Sequence, residues 1–271
     1  MHMYRSWTVV FACCVSLIGC GGGSGNSSSI LPVERPLTGN PGDTMLDDRF
    51  TSDTISNSQP TGNWRRRHVQ EGTDAQYTQL DVNLSTANTL TLVPALTPGW
   101  FNNADAPLLY QPIGGDFSIE TFVRASTTVN PTLPPTRDFN SAGLMARNPA
   151  GASGTENYVM VNVGRQDDRI TAGVGSEVKS TINGVSSLEL VAGSHSGRLV
   201  LCRTGELFRA WRWLDGDTGW SLLAQQNRAD LPVQLQVGIV ANAFNGPDLL
   251  AQFDYVVIRR PLNDNDCLPG V

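Results

Sequence analysis

Leu207–Leu223, LFRAWRWLDGDTGWSLL, gathers residue types that hold polyhydroxylated ligands. Aromatic rings stack on the apolar faces of sugars, while Arg, Asn, Asp and Glu pair with the hydroxyls. Side chains alternate along a strand, so Arg209, Trp211 and Trp213 share one face and Phe208, Ala210 and Arg212 the other. Asp215-Gly216 carries the turn chemistry of a hairpin, and Trp220 then opens the return strand. The same chemistry recurs at Glu120 and Arg124 in GDFSIETFVRA, Arg147 in AGLMARN, and Tyr158 and Asn162 in ENYVMVNVG. Trp100-Phe101 lies in a loop, PGWFNNADAPLL, and is expected to be exposed. Two readings stand for the strand tryptophans, ligand surface or core, because large aromatics are mostly buried.

Other chemistries find little support. Hydrolysis of a glycoside needs an acid and a nucleophile about 5 Å apart. Glu120 in SIETF is a lone strand carboxylate, and Asp167-Asp168 and Asp215/Asp217 lie in turns, where Asp is expected for conformational reasons. His68 and His195 lie far apart and no Cys-x-x-Cys is present, so a transition-metal site cannot be built. Ser194-His195-Ser196 reads as a polar turn, and there is no phosphate loop or dinucleotide fingerprint. Formal net charge is −6, from 19 basic and 25 acidic residues, which argues against a nucleic-acid partner. Lys179 is the only lysine; an arginine-rich balance suits bidentate contacts but also follows from a GC-rich genome. Arg65-Arg66-Arg67-His68 reads as a solvated edge strand that discourages aggregation rather than as an anion site.

The elements that must position these residues are strands. Beyond residue 45 the chain shows short alternating runs with turn punctuation and no helix-period segment, the pattern of an all-β sandwich. Predicted strands include Met45–Phe50, Asn63–Val69 (with Trp64 as a core anchor), Tyr77–Leu84, Thr89–Val93, Asn157–Val163, Arg169–Val174, Val178–Thr181, Ser187–Val191, Gly197–Cys202, Val233–Ala241 and Leu250–Ile258. No internal break divides them, so residues 45–262 are read as one domain and 263–271 as a tail.

The amino terminus reads differently. Residues 1–19 carry Arg5 and then an apolar run from Trp7 to Ile18, too short to span a bilayer comfortably and suited to a signal-peptide core. Leu17-Ile18-Gly19-Cys20 resembles the bacterial lipobox, which implies cleavage before Cys20 and acylation of that residue; an ordinary secretory signal is the other reading. Gly21 in place of Asp after the cysteine implies the outer membrane, and several acyl chains make a stable anchor. Residues 20–44, opening with GGGSGNSSS after Cys20, read as a flexible tether. Cys13 and Cys14 leave with the signal, so Cys202 and Cys267 are an even pair that should bridge in an oxidising compartment. The alternative is a buried Cys202 and a free Cys267.

Taken in order, GDFSIETFVRA, AGLMARN, ENYVMVNVG, GRLVL, FRAWRWLDGDTGW, VGIVANA and AQFDYVVI resemble the concanavalin A-like lectin/glucanase superfamily, nearest its laminin-G-like and DUF1349-type domains. The resemblance spans about 45–260 and implies a two-sheet antiparallel jelly roll with one concave sheet. It implies that the Trp, Arg, Glu, Tyr and Asn residues above lie on that concave sheet. It also implies a structural calcium ion held at the first and last strands, where Asp47, Asp48 and Asp254 fall. Asp254 interrupts an apolar run and needs a partner, for which a cation or an arginine such as Arg49 would serve. Hydrolases of the superfamily carry paired strand carboxylates that this sequence does not show. The expectation is a non-catalytic carbohydrate-binding module on an outer-membrane lipoprotein. A protein-interaction or structural envelope lipoprotein is the alternative, and a glycoside hydrolase the third.

Overall fold

Alternating apolar and polar residues over short runs place one face of each strand in a core and the other outside. The computed structural model describes residues 35–53, 55, 64–95, 99–102, 106–151, 154–246, 248–263 and 265–269. The predicted signal segment, Cys20 and the glycine-serine stretch lie outside the described residues. Among those described, fifteen strands form. They are β1 (Thr44–Asp48), β2 (Arg65–Arg66), β3 (Tyr77–Val82), β4 (Leu90–Pro94) and β5 (Leu108–Gly114). Then come β6 (Phe117–Ser126), β7 (Asn140–Arg147), β8 (Tyr158–Arg165), β9 (Val174–Ile182) and β10 (Val185–Ala192). The last five are β11 (Ser196–Thr204), β12 (Leu207–Leu214), β13 (Ser221–Asn227), β14 (Gln234–Ala243) and β15 (Leu250–Arg259).

Two antiparallel sheets pack face to face as a jelly-roll sandwich. One runs β13-β12-β11-β6-β15-β4-β3, with β1 also on β15; the other runs β10-β9-β8-β7-β14-β5-β2. Tight turns set the registers. Asn183 and Gly184 both take positive φ (50° and 75°), the geometry that a two-residue β9–β10 hairpin requires. The inner faces meet in one core. Ile119, Val123, Leu199, Leu201, Phe208 and Phe253 come from the eight-stranded sheet, and Leu144, Val161, Val237 and Ile239 from the seven-stranded sheet. Phe117 and Phe208 pack edge to face at 6.2 Å, an arrangement worth about 1 kcal/mol beyond burial.

Two predicted strands are corrected. Of the predicted strand Asn63–Val69, Asn63 lies outside the described residues, Arg65–Arg66 form β2, and a helical turn, α1 (Arg67–Glu71), follows, closed by Gly72 at φ 67°. The reason is Arg67, which is buried and held by Glu71 and Gln76 and so cannot sit on a solvated edge. Trp64 is a core residue as expected. Arg169–Val174 is the turn between β8 and β9. Asp167 accepts the Arg169 N–H at 3.0 Å, and Ala172 and Gly173 take positive φ, which breaks the extended run.

The first and last strands pair, Asp47 opposite Val257 and Asp48 opposite Val256, but they do not gather the three aspartates. Asp48 points inward and accepts from Trp64 Nε1 (2.8 Å) and Phe50 N (2.9 Å). Asp47 pairs with Arg49, and Asp254, at a bulge in β15, lies 3.6 Å from Arg124. The partner Asp254 needs is therefore Arg124 rather than Arg49. Among the described residues no group of three acidic, His or Cys side chains could hold a metal ion.

Cys202 and Cys267 are bridged. The bridge lays the tail across β11 and β6, where Ser118 Oγ donates to Cys267 O and Arg259 pairs with Asp266. Chain-entropy reasoning for a closure of 65 residues gives about 4 kcal/mol, within the usual range of 2–5. Cys267→Ser should therefore lower unfolding stability by about 2–4 kcal/mol in a denaturant titration. Trp211 and Trp220 pack against this cluster, so the same variant should shift tryptophan emission to the red. An unchanged midpoint and spectrum would contradict the account.

Candidate functional site

Antiparallel register places the outer-face residues of the eight-stranded sheet in rows. One row reads Trp213–Arg198–Phe122–Tyr255 across β12, β11, β6 and β15. The next reads Trp211–Val200–Glu120–Val257, and the third Arg209–Cys202–Ser118–Arg259. The disulfide-bonded tail covers the third row and touches Trp211. The first row lies beyond this cover, with Trp213 and Tyr255 half-buried.

Arg198 organises that row. Its guanidinium lies 5.5 Å over Trp213 and 4.9 Å over Trp220, and these two rings meet edge to face at 5.9 Å. Arg198 donates to Glu120 Oε1 through Nε (2.9 Å) and NH2 (2.6 Å), and Tyr255 OH donates to the same oxygen at 2.7 Å. Burial alone would lower the Arg198 pKa, but the bond and charge of Glu120 outweigh it and hold it above the ordinary arginine value. Burial, reinforced by Glu120, keeps the Tyr255 phenol protonated well above the usual tyrosine range. Arg49 caps the Tyr255 ring at 4.9 Å. Beside it, burial raises the Asp254 carboxyl despite Arg124. The result is a fixed aromatic platform with guanidinium, carboxylate and phenol groups along its edge.

The outer face of the seven-stranded sheet looks similar in sequence and is closed in structure. Its rows read Gln236–Arg147–Tyr158–Thr181–Ser186 and Gly238–Met145–Met160–Lys179–Leu188. Trp100 lies on it, 1 % exposed, edge-on to Tyr158 at 5.4 Å. The Trp100 N–H donates to Asn242 Oδ1 (2.8 Å), and Lys179 Nζ donates to Trp100 O (2.6 Å). Arg67 and Arg147 lie over the Trp100 ring at 5.3 and 5.8 Å. Arg147, 1 % exposed, donates to Glu156 through Nε and NH2 and to Glu71 and Gln236 through NH1. Burial opposes its charge, and the two glutamates more than offset this. Trp100 and Tyr158 thus belong to a second small core, and Arg147 and Asn162 are buried on the same sheet, so the four do not form the ligand surface expected of them.

The predicted residues accordingly split. Trp211, Trp213, Arg209, Glu120 and Arg124 share the outer face of one sheet, and Arg147 and Trp100 are buried on the other side of the sandwich. A large aromatic in a Pro-Gly loop looks exposed until the sheet it lies on is known. Sequence reading missed Arg198 and Trp220 as site residues. Counting back from the Gly205-Glu206 turn would have found Arg198, since Leu207 opposite Thr204 sets Trp213 opposite Arg198.

No protein-family profile matches the chain, and no curated protein matches it in sequence. Solved structures do. A functionally unknown protein from Saccharomyces cerevisiae is 16 % identical with a TM-score of 0.52, over 69 % of this chain and 98 % of that one. The xylan β-1,4-xylosidase of Bacillus halodurans C-125 is 14 % identical with a TM-score of 0.56, over 83 % of this chain. The chain spans about two fifths of that enzyme, 40 % of its length. Winged bean acidic lectin is 8 % identical with a TM-score of 0.49, over 79 % of this chain and 96 % of that one. At such identities the first two show the jelly-roll fold and nothing of the chemistry.

Arg147→Ala should cost about 3–5 kcal/mol, because it leaves the buried Glu156 without its cation and Glu71 with Arg67 alone. Denaturant midpoints test this, and a loss under 1 kcal/mol would contradict it. Burial pushes the Tyr158 phenol up to about 12. A folded-state value above the unfolded one favours folding below the unfolded pKa and is lost as pH rises through the folded value. Stability should therefore decline between about pH 10 and about pH 12, and Tyr158→Phe should flatten that decline in alkaline denaturation series.

Proposed function

We propose that the sandwich is a non-catalytic carbohydrate-binding module that uses the outer face of the eight-stranded sheet. The observation that carries the reading is the Trp213–Trp220 pair, bracketed by Arg198 and bordered by Glu120 and Tyr255. A sugar ring stacks on an aromatic face, and its hydroxyls take the donors and acceptors along the edge. Pre-formed contacts keep the ordering cost of binding low.

The carboxylates on this face support a binding role over hydrolysis. Glu120 pairs with Arg198, Asp254 with Arg124 and Asp47 with Arg49. Along β6 the same-face neighbours of Glu120 are Ser118 and Phe122, so the strand offers no second carboxylate beside it. The likeness to a xylan β-1,4-xylosidase makes xylan the first polysaccharide to test. Leu17–Cys20 supports delivery of the module as a lipid-anchored protein of the cell envelope, in the outer membrane, with the membrane reached through the acylated Cys20.

Pull-down on insoluble xylan and a soluble glycan array test the reading. Trp213→Ala and Trp220→Ala should each weaken binding at least tenfold, about 1.4 kcal/mol. Arg198→Ala should do the same by releasing both rings. A protein that binds no glycan while folded would move the reading to an envelope protein partner. Binding unchanged by either tryptophan variant would remove this face from it.

A further inference from the structure

On the opposite side of the sandwich, a cavity of about 280 Å³ opens at the rim of the seven-stranded sheet's outer face. Its walls are mostly apolar, with Phe101, Phe139, Phe244 and Leu188 among them. Phe101 and Phe244 are 48 % and 38 % exposed, unusual for aromatics at a site with no partner, and Phe139 and Phe244 pack edge to face at 6.3 Å. Asn242 and Lys179, both buried, supply polar groups to the lining.

The donor chemistry of these two residues is fixed by their other contacts. Asn242 Oδ1 accepts the Trp100 N–H, which sets the orientation of the amide. Its Nδ2 is buried with no hydrogen-bond partner. Lys179 Nζ gives one N–H to Trp100 O and is ion-paired with Glu177 Oε1 at 2.9 Å without a hydrogen bond to that oxygen, so its three donors are not all used. The charges are already matched, Lys179 by Glu177 and the rim residue Arg169 by Asp167. The site therefore offers hydrogen-bond donors without net positive charge.

We propose that this cavity is a binding site for an uncharged aromatic or alicyclic ring that carries one hydrogen-bond acceptor, such as an aryl ketone or aryl amide. Size fits, since an apolar cavity of about 150 Å³ holds benzene and this one has room for a substituent besides. Apolar walls exclude a sugar, most of whose hydroxyls would be buried without partners. They equally exclude a carboxylate, because both cations at the cavity are neutralised within the protein. The site is independent of the glycan-binding face and stands whether or not that reading holds.

Saturation-transfer NMR and titration of the purified protein with acetophenone, benzamide, toluene and benzoate test the proposal. Acetophenone and benzamide should bind with dissociation constants near or below about 1 mM, toluene at least tenfold more weakly, and benzoate not at all. Leu188→Trp should fill the cavity and abolish binding, with the far-UV circular dichroism unchanged. Asn242→Asp keeps an acceptor for the Trp100 N–H but loses the amide donor. It should weaken acetophenone about tenfold and leave toluene unaffected. Saturation of no ring probe by the folded protein would overturn the site. Equal binding of toluene and acetophenone would overturn the donor role, and preference for benzoate the uncharged class. Full binding by a folded Leu188→Trp protein would place the ligand elsewhere and overturn the assignment.

Discussion

Strand register in the eight-stranded sheet is the constraint on which the rest depends. β6 lies at its centre, with β11 on one side and β15 on the other. Antiparallel pairing sets Arg198 opposite Phe122 and Phe122 opposite Tyr255, so Glu120, two residues along β6, lies diagonal to both Arg198 and Tyr255. A slip of one residue would turn Glu120 inward and Ile119 outward, exchanging a core side chain for a carboxylate. Core packing therefore holds the site together. The burial of Ile119, Val123 and Leu199 fixes the positions of the outward residues between them.

The two outer faces use the same residue types for opposite ends. Both bring guanidinium groups over tryptophan rings, Arg198 over Trp213 and Trp220, Arg67 and Arg147 over Trp100. On the closed face the arginines are buried and pair with Glu71, Glu156, Gln76 and Gln236. Such a cluster stabilises only while complete, because removal of one partner leaves a buried charge. On the open face the rings and Arg198 stay partly in solvent, where a ligand can displace water at little cost, while Glu120 beneath them is buried. The tail, drawn across β11 and β6 by the disulfide, marks the boundary of the open region by covering the row that contains Cys202.

Much of this was legible in the sequence because period-two alternation reports directly on which residues face a core. The split of Leu207–Leu214 into Phe208, Ala210 and Arg212 against Arg209, Trp211 and Trp213 is the burial pattern observed. The pairing of Cys202 with Cys267 and the core role of Trp64 followed from compartment and composition. What escaped was set by distant contacts. Arg67 leaves the strand period for Glu71 and Gln76, and Trp100 is buried only because α1 and the seven-stranded sheet meet around it. Asp47, Asp48 and Asp254 lie on the paired strands β1 and β15, yet alternation and a bulge aim them at three different partners. No local pattern encodes those directions.

The most direct test of the central claim is a ¹⁵N-resolved NMR titration of the protein with a xylo-oligosaccharide, following the indole N–H resonances. The account predicts that Trp213 and Trp220 shift together, saturably, while the buried Trp64 and Trp100 do not move. Shifts confined to Trp100, or to no tryptophan while the sugar binds, would place the ligand off this face and contradict it.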